Sequence, residues 1–182
     1  PVCSSAASDV YKRQVISLST ATFYLGYKPT SSNNNGELVI PQIETQNLNL
    51  IDAEGNVFNF STGKWYLVHF DDFQNKTFSL DRYKLATSLK ITLPRESHRL
   101  RRVVVYKDKE LFANALELKE QFPQIIFLYD KDNMFENRIS SQLNNPYFSK
   151  SMFLIDSFSN VMEEFNVSLT FSEIFEDLKV LL

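Results

Sequence analysis

Apolar residues along the chain follow two periods, and each period predicts one kind of element. Three short runs are apolar and β-branched in the manner of buried strands: residues 64–70, 101–106 and 125–129. Two longer segments carry apolar residues at helical spacing and stop near a proline: residues 80–91 and 110–122. Right-handed crossover connections would make the first two strands parallel neighbours.

Two hairpins and a last helix complete the pattern. Residues 48–60 predict a hairpin whose turn contains Gly55, a residue that tolerates positive φ. Residues 152–155 and 161–165 predict a second hairpin, and a capping box at residues 170–173 predicts the start of the last helix. The order of elements predicts an α/β fold with a thioredoxin-like mixed sheet flanked by helices and an N-terminal hairpin.

The first 45 residues read as three segments before a domain at residues 46–182. Residues 1–14 end in DVYKRQ, which resembles a translated sequencing adapter, so they are interpreted as an artefact. The alternative is a natural flexible terminus in which Cys3 is a reactive thiol. Residues 15–27 are uncharged but shorter than the ~20 residues that span a bilayer, and alone they favour a short β-rich or disordered arm. Residues 28–45 read as a polar linker.

Composition excludes several classes of function. Cys3 is the only cysteine, so the rest of the chain can hold neither a disulfide nor a thiolate metal site. A net charge of -3 and a pI of about 5.5 argue against a broad nucleic-acid-binding surface. No glycine lies beyond Gly63, so the remainder lacks a phosphate-binding glycine loop.

Few polar residues are candidates for chemistry. His69 has no second histidine or cysteine nearby in the sequence, so it is interpreted as a structural histidine rather than a metal ligand. Adjacent residues at a strand end point to opposite sides, so Asp71 and Asp72 are interpreted as a solvated strand end rather than a cation site or an acid–base pair. The pair at residues 97–98, serine and histidine, lacks a third partner for a nucleophile triad.

Two clusters could meet a partner. The three phenylalanines around the loop after the first central strand could form an apolar patch for another protein, or could simply pack in the core: they are Phe70, Phe73 and Phe78. A basic cluster could contact anionic lipid or an acidic partner, or could be a polar loop entering a strand: it comprises Arg95, His98, Arg99, Arg101 and Arg102.

Five segments occur in a fixed order and spacing: residues 26–41 (a Pro-Thr turn followed by NxGxL and proline), 63–68 (GKWYLV), 99–103 (RLRRV, similar to RVxRV), 153–162 (FLIDSFSNVM, similar to LIDPxGNLM) and 177–182 (DLKVLL). Together they resemble a family of bacterial thioredoxin-like membrane proteins associated with cytochrome c oxidase assembly, distant relatives of the Sco/SenC copper chaperones. The chain departs from the hairpin motif at Ser157 and Ser159, which replace a proline and a glycine.

The resemblance implies a location and a partner. It favours residues 15–27 as the end of a truncated transmembrane anchor in the bacterial inner membrane, with the domain facing the periplasm. It also implies a protein partner in the respiratory oxidase assembly pathway.

The resemblance also indicates where chemistry would be expected. Redox or copper-binding relatives carry a cysteine pair in the loop after the first central strand and a histidine before the late hairpin. Here residues 69–79 contain no cysteine and residues 144–150 contain no histidine, while dithiol exchange requires a thiolate and copper capture favours sulfur ligands. We therefore expect no catalytic, cofactor-binding or metal-ligating residue, and a non-enzymatic protein that acts by binding a partner.

Two alternatives remain open. One is a cysteine-independent enzyme of the same fold that uses His69, Asp71 and Asp72, which requires these side chains to converge in a concave pocket. The other is a soluble interaction module without membrane attachment.

Overall fold

The computed structural model describes residues 34–93, 98–113 and 115–182. Its strands are β1 Glu37–Glu44, β2 Leu50–Ile51, β3 Val57–Phe58, β4 Trp65–Phe70, β5 Leu100–Tyr106, β6 Ile125–Asp130, β7 Met152–Ile155 and β8 Asn160–Phe165. Its helices are α1 Lys76–Thr92, α2 Lys109–Ala113, α3 Leu116–Gln121, α4 Met134–Ser140, α5 Pro146–Ser149 and α6 Phe171–Leu181. These strands form a sheet in the order β1-β8-β7-β4-β5-β6-β2-β3.

The centre of the sheet is β4, in which every residue is buried. It runs parallel to β5, and β5 runs parallel to β6, as expected of strands joined by helical crossovers. The β7–β8 hairpin continues the sheet on the other side of β4 in antiparallel fashion, and the β2–β3 hairpin pairs with β6. Gly55 takes φ +90° in the β2–β3 turn. The predicted mixed sheet with an N-terminal hairpin is confirmed.

Successive side chains of β4 point to opposite faces of the sheet, and helices cover both faces. Leu67 lies in the core beneath α1 and α6, where Ile174 packs with it. Phe70 lies in the core beneath α4 and α5, together with Phe135. His69 has the parity of Leu67, so its ring points toward α1.

The two longest helices begin at capping residues. Asn75 Oδ1 accepts a hydrogen bond from Phe78 N at 3.1 Å, so α1 begins at Lys76, before the predicted start at residue 80. In α6, the Glu173 carboxylate accepts from Thr170 N at 2.7 Å, and Thr170 Oγ1 accepts from Glu173 N. The predicted capping box is therefore confirmed.

The prediction of one helix over residues 110–122 is wrong, because the segment forms α2 and α3 instead. Ala115 separates them with φ −110° and ψ 13°. Phe112, in α2, stacks on Tyr106 with ring centroids 4.2 Å apart, while Leu118, in α3, is buried in the same core. The bend at Ala115 lets both helices place an apolar side chain against the sheet.

The domain begins earlier than predicted. Residues 37–44 were predicted to lie in the linker, but they form β1, which pairs antiparallel with β8 and buries Val39 and Ile43.

Helices α4 and α5 were not predicted. The predicted adapter and the predicted anchor, residues 1–14 and 15–27, lie outside the described residues. Among the residues that are described, no helix is both long and apolar enough to cross a bilayer.

The start of β1 is fastened to α6 by one buried carboxylate. Asp177 accepts from Asn35 N and from Gly36 N, each at 2.8 Å, and from the Asn35 side chain at 3.1 Å. A Cβ on Gly36 would lie 2.7 Å from Glu163 Oε1 and 2.8 Å from the Phe165 ring. A larger residue at position 36 would therefore force the Glu163 carboxylate and the buried Phe165 ring to shift.

Replacing Asp177 with alanine is expected to lower the free energy of unfolding by about 2–3 kcal/mol, because buried amides lose a charged acceptor. Urea unfolding measures this loss, and hydrogen exchange should show faster exchange at Asn35 and Gly36. Glu176→Ala, at the neighbouring exposed position, serves as the control and should change stability by less than about 0.5 kcal/mol. Unchanged protection of the two amides in Asp177→Ala would contradict the assignment.

Candidate functional site

The carboxyl ends of β4, β5 and β6 meet at one edge of the sheet, which is where ligands commonly bind in open α/β sheets. At this edge β4 leads into the loop of residues 71–75, which we call the β4–α1 loop. Asp71 N donates to Val105 O at 3.0 Å, so the pairing of β4 with β5 extends into this loop. Three candidate residues from the sequence, His69, Asp71 and Asp72, lie at or next to this loop.

Asp71 is buried rather than solvated, which corrects the prediction. One carboxylate oxygen accepts from Phe73 N at 2.8 Å, and the other accepts from the Tyr83 hydroxyl at 2.7 Å. Burial, together with the charge of Asp71, raises the pKa of Tyr83 above its usual value. Tyr83 therefore remains a hydrogen-bond donor at physiological pH, and Asp71 ties the loop to α1.

Asp72 bonds to different partners, so the two carboxylates diverge as expected. Its Oδ2 lies 2.8 Å from Lys150 Nζ, and its Oδ1 accepts from Gln74 N at 3.2 Å. Burial alone would raise the pKa of Asp72, but the hydrogen bonds from Lys150 and Gln74 together hold it below the usual value. Asp72 is thus an ionised partner of Lys150 that connects the loop to the residue just after α5.

His69 is 4% exposed, as its interpretation as a structural histidine requires. Burial lowers the pKa of His69 to about 4, nearby Asp71 opposes this shift, and Arg82 adds to it. Neither ring nitrogen forms a hydrogen bond of ordinary geometry, although the Ser151 backbone lies close enough to favour the charged ring. The imidazole is therefore neutral at pH 7.

The candidate residues do not come together as a catalytic group. Asp71 points to Tyr83, Asp72 points to Lys150, and His69 lies against Phe78 with ring centroids 6.1 Å apart. This arrangement does not assemble the convergent acid–base site that the enzymatic alternative requires. Among the described residues, no group of three or more histidine, cysteine, aspartate or glutamate side chains could hold a metal ion.

Of the two interpretations of the phenylalanines around the loop, an apolar patch or core packing, the structure supports core packing. Phe70 and Phe73 are buried, and Phe78 is half-buried. Phe148 of α5, which no sequence pattern indicated, is 87% exposed at the same edge of the sheet. Helical periodicity could not reveal it, because α5 spans a single turn.

The predicted basic cluster is divided. Arg101 is exposed on β5, whereas Arg102 is buried and donates to Thr87 Oγ1 at 2.6 Å and to Gln124 Oε1 at 3.0 Å. Arg102 therefore cannot contribute to a surface for lipid or an acidic partner. Arg95 and Ser97 lie outside the described residues, so the serine–histidine pair at residues 97–98 cannot be assessed as a nucleophile and its base.

Arg82 is a buried polar residue of this region that was not predicted. It lies on the inward stripe of α1 with Tyr83, Ala86 and Leu89, and it is 6% exposed. Its position one turn from Ala86 was the available signal, since i and i+4 share a face of a helix. Its guanidinium donates to the Lys150 carbonyl at 3.3 Å and lies 5.3 Å from the centre of the Phe78 ring.

Comparisons with known proteins show the fold. No family model and no curated protein matches the sequence. A structure of BsSco, a member of the Sco family of cytochrome c oxidase assembly proteins, matches with a TM-score of 0.57 and 13% identity, covering 77% of this chain and 94% of that chain.

Two further structures extend the comparison. Yeast Sco1 with copper bound matches with a TM-score of 0.58 and 16% identity, covering 81% of this chain and 92% of that chain. A variant of PrxQ from Xylella fastidiosa matches with a TM-score of 0.52 and 18% identity, covering 82% of this chain and 98% of that chain. The chain thus has a thioredoxin-like fold similar to that of Sco proteins.

Proposed function

We propose that this protein acts in cytochrome c oxidase assembly by binding a partner protein, rather than by thiol exchange or copper transfer. The likeness to Sco structures supports the pathway, since BsSco belongs to a family of oxidase assembly proteins, and the five motif segments support it independently. The observation that carries the proposal is the chemistry of the β4–α1 loop. This loop contains no cysteine, and its two carboxylates, those of Asp71 and Asp72, form hydrogen bonds with Tyr83 and Lys150 of the same domain.

The family resemblance supports attachment to the bacterial inner membrane, with the domain in the periplasm. In this proposal residues 15–27 are the end of an anchor that begins upstream. Sequencing the gene upstream of codon 15 tests it. An apolar run that reaches about 20 residues would support the anchor, whereas a polar upstream sequence would favour the soluble interaction module.

Phe148 is the proposed centre of the docking surface. Contacts on both sides of Phe148 fix the backbone of α5. Asn145 Oδ1 caps the helix by accepting a hydrogen bond from Tyr147 N at 3.0 Å, and Pro146 and Tyr147 are buried. Lys150, just beyond the helix, pairs with Asp72. An exposed aromatic side chain on a backbone that is already fixed loses little conformational entropy on binding. Such residues commonly supply most of the binding energy of an interface.

Replacing Phe148 with serine is expected to weaken partner binding at least tenfold, which corresponds to a loss of about 1.4 kcal/mol or more. The full-length tagged protein would be purified from detergent-solubilised membranes of its source, and co-purifying oxidase subunits and assembly factors would be quantified. Phe158→Ser is the matched control, because Phe158 is 75% exposed at the turn between β7 and β8.

Two results separate the pathway from the surface. If no oxidase subunit or assembly factor co-purifies with the wild-type protein, the proposed pathway is wrong. If such a partner co-purifies equally with wild type and Phe148→Ser, the pathway stands and the assignment of Phe148 is wrong.

A further inference from the structure

The Arg82 side chain is buried, at 6% exposure, and has no counter-ion among the described residues. Neither ion pair found within the described residues, Lys107–Glu136 or Lys150–Asp72, includes it. Burying an unpaired charge is costly, and buried charges in proteins are normally paired. Arg82 Nε also has no hydrogen-bond partner.

Other unpartnered polar groups surround the same place. Neither ring nitrogen of His69 forms a hydrogen bond of ordinary geometry, although the Ser151 backbone lies close to the ring, and the Ser151 hydroxyl has no hydrogen-bond partner; both residues are buried. His69 pairs with Met152 across β4 and β7, which sets Ser151 beside it. Arg82 Nη2 donates to the carbonyl of Lys150, the residue before Ser151. The imidazole of His69 and the guanidinium of Arg82 both lie beside the Phe78 ring, so the three polar side chains are neighbours around Phe78.

The nearby carboxylates do not supply the missing acceptor. Asp71 is bonded to Tyr83 and to the backbone of the β4–α1 loop, and Asp72 is bonded to Lys150. The cluster lies beside the second turn of α1, close to the end of the helix that carries positive partial charge. Its available groups are the Arg82 Nε–H and the Ser151 hydroxyl, while the neutral imidazole of His69 lies close to the Ser151 backbone.

We propose that Arg82, His69 and Ser151 form a binding site for a small inorganic anion. A monatomic or planar anion would accept from Arg82 Nε and from the Ser151 hydroxyl, and it would neutralise the buried guanidinium. Water could accept the same hydrogen bonds but could not supply the charge. Phe78, which is half-buried over the site, is placed to admit the anion by rotating its ring. The site is independent of the proposed partner-binding surface.

Thermal unfolding at pH 7 provides the test. Melting temperatures of the full chain would be measured in sodium gluconate and then in sodium chloride, bromide and nitrate at equal ionic strength. At least one small anion should raise Tm by about 2–6 °C at saturation, because ligands that bind only the folded state stabilise it. The site would be located by the anomalous signal of bromide in a bromide-soaked crystal.

Three variants make the test specific. Arg82→Met should fold, because an apolar side chain commonly replaces a buried charge without loss of stability, and it should lose the anion-dependent shift. Ser151→Ala removes one donor and should weaken anion binding about tenfold. Arg101→Met removes an exposed arginine and should keep the full shift. Equal shifts in wild type and Arg82→Met, or no shift with any of the three salts, would overturn the proposal, as would a bromide-dependent shift without a bromide peak beside Arg82 Nε.

Discussion

Replacing Phe135 with alanine is expected to lower the free energy of unfolding by about 3–5 kcal/mol. Phe135 is fully buried, and its ring lies 5.1 Å from Phe70 and 5.8 Å from Phe60, measured between centroids. The substitution removes most of the aromatic side chain and leaves a cavity where α4 meets the centre of the sheet. Because the contacts of Phe135 reach several elements, the surrounding side chains can close that cavity only in part.

Chemical denaturation monitored by circular dichroism measures this loss. Phe158→Ala is the control, since Phe158 is an exposed residue of the same type, and it should change stability by less than about 0.5 kcal/mol. A loss below about 1 kcal/mol in Phe135→Ala would mean that α4 does not form part of the stable core.

The helix that carries Phe135 shows why part of the fold could not be predicted. Its sequence is short and largely polar, and its first residues are held from outside the helix. Asp130, at the end of β6, accepts from Phe135 N at 3.1 Å and from Glu136 N at 3.0 Å. The central strands could be predicted because their apolar runs are local, whereas α4 depends on a carboxylate that belongs to another element.

Strand β1 was missed for a similar reason. Only Val39 and Ile43 of this strand are buried, so its period-two pattern is weak. The strand is held in place by pairing with β8 and by the hydrogen bonds from Asn35 N and Gly36 N to Asp177. These partners lie more than a hundred residues away in the sequence. By contrast, the capping box of α6 lies within four consecutive residues, which is why it could be predicted.

The candidate site divides in the same way. The divergence of Asp71 and Asp72 follows from strand geometry alone and was predicted. The burial of Asp71 was not, because it depends on the Tyr83 hydroxyl in the next helix. Arg82 carried a readable signal in its position on the inward stripe of α1, yet a charged residue on that stripe is normally interpreted as lying at its margin.

Glu163 is expected to make the stability of the domain fall as the pH rises from about 4.5 to about 7. It is 0% exposed, and burial raises the pKa of its carboxyl to about 7; the hydrogen bond from Asn34 opposes this shift and the charge of Asp177 adds to it. Its cross-strand neighbours are Leu38 and Leu154. No basic side chain contributes to this shift.

The sign of the effect follows from proton binding. Between pH 4.5, the value for an exposed glutamate, and pH 7, the folded state holds a proton that the unfolded state has released, so raising the pH favours unfolding. The contribution of Glu163 is fully present below the lower pH and is lost above the higher one. At about 1.4 kcal/mol for each pKa unit, the loss amounts to about 3 kcal/mol.

Glu163→Gln isolates this effect, because glutamine resembles the protonated acid and can still accept from Asn34. Unfolding free energies measured from pH 4 to pH 8 should nearly coincide for wild type and variant at pH 4, and the variant should be more stable by about 1 kcal/mol at pH 5 and by about 3 kcal/mol at pH 8. His69 changes stability in the opposite direction between its folded pKa of about 4 and the usual value of 6.5, but it does so equally in both proteins, so their difference reports Glu163 alone. A constant difference across the pH range would show that the Glu163 carboxyl titrates normally in the folded protein.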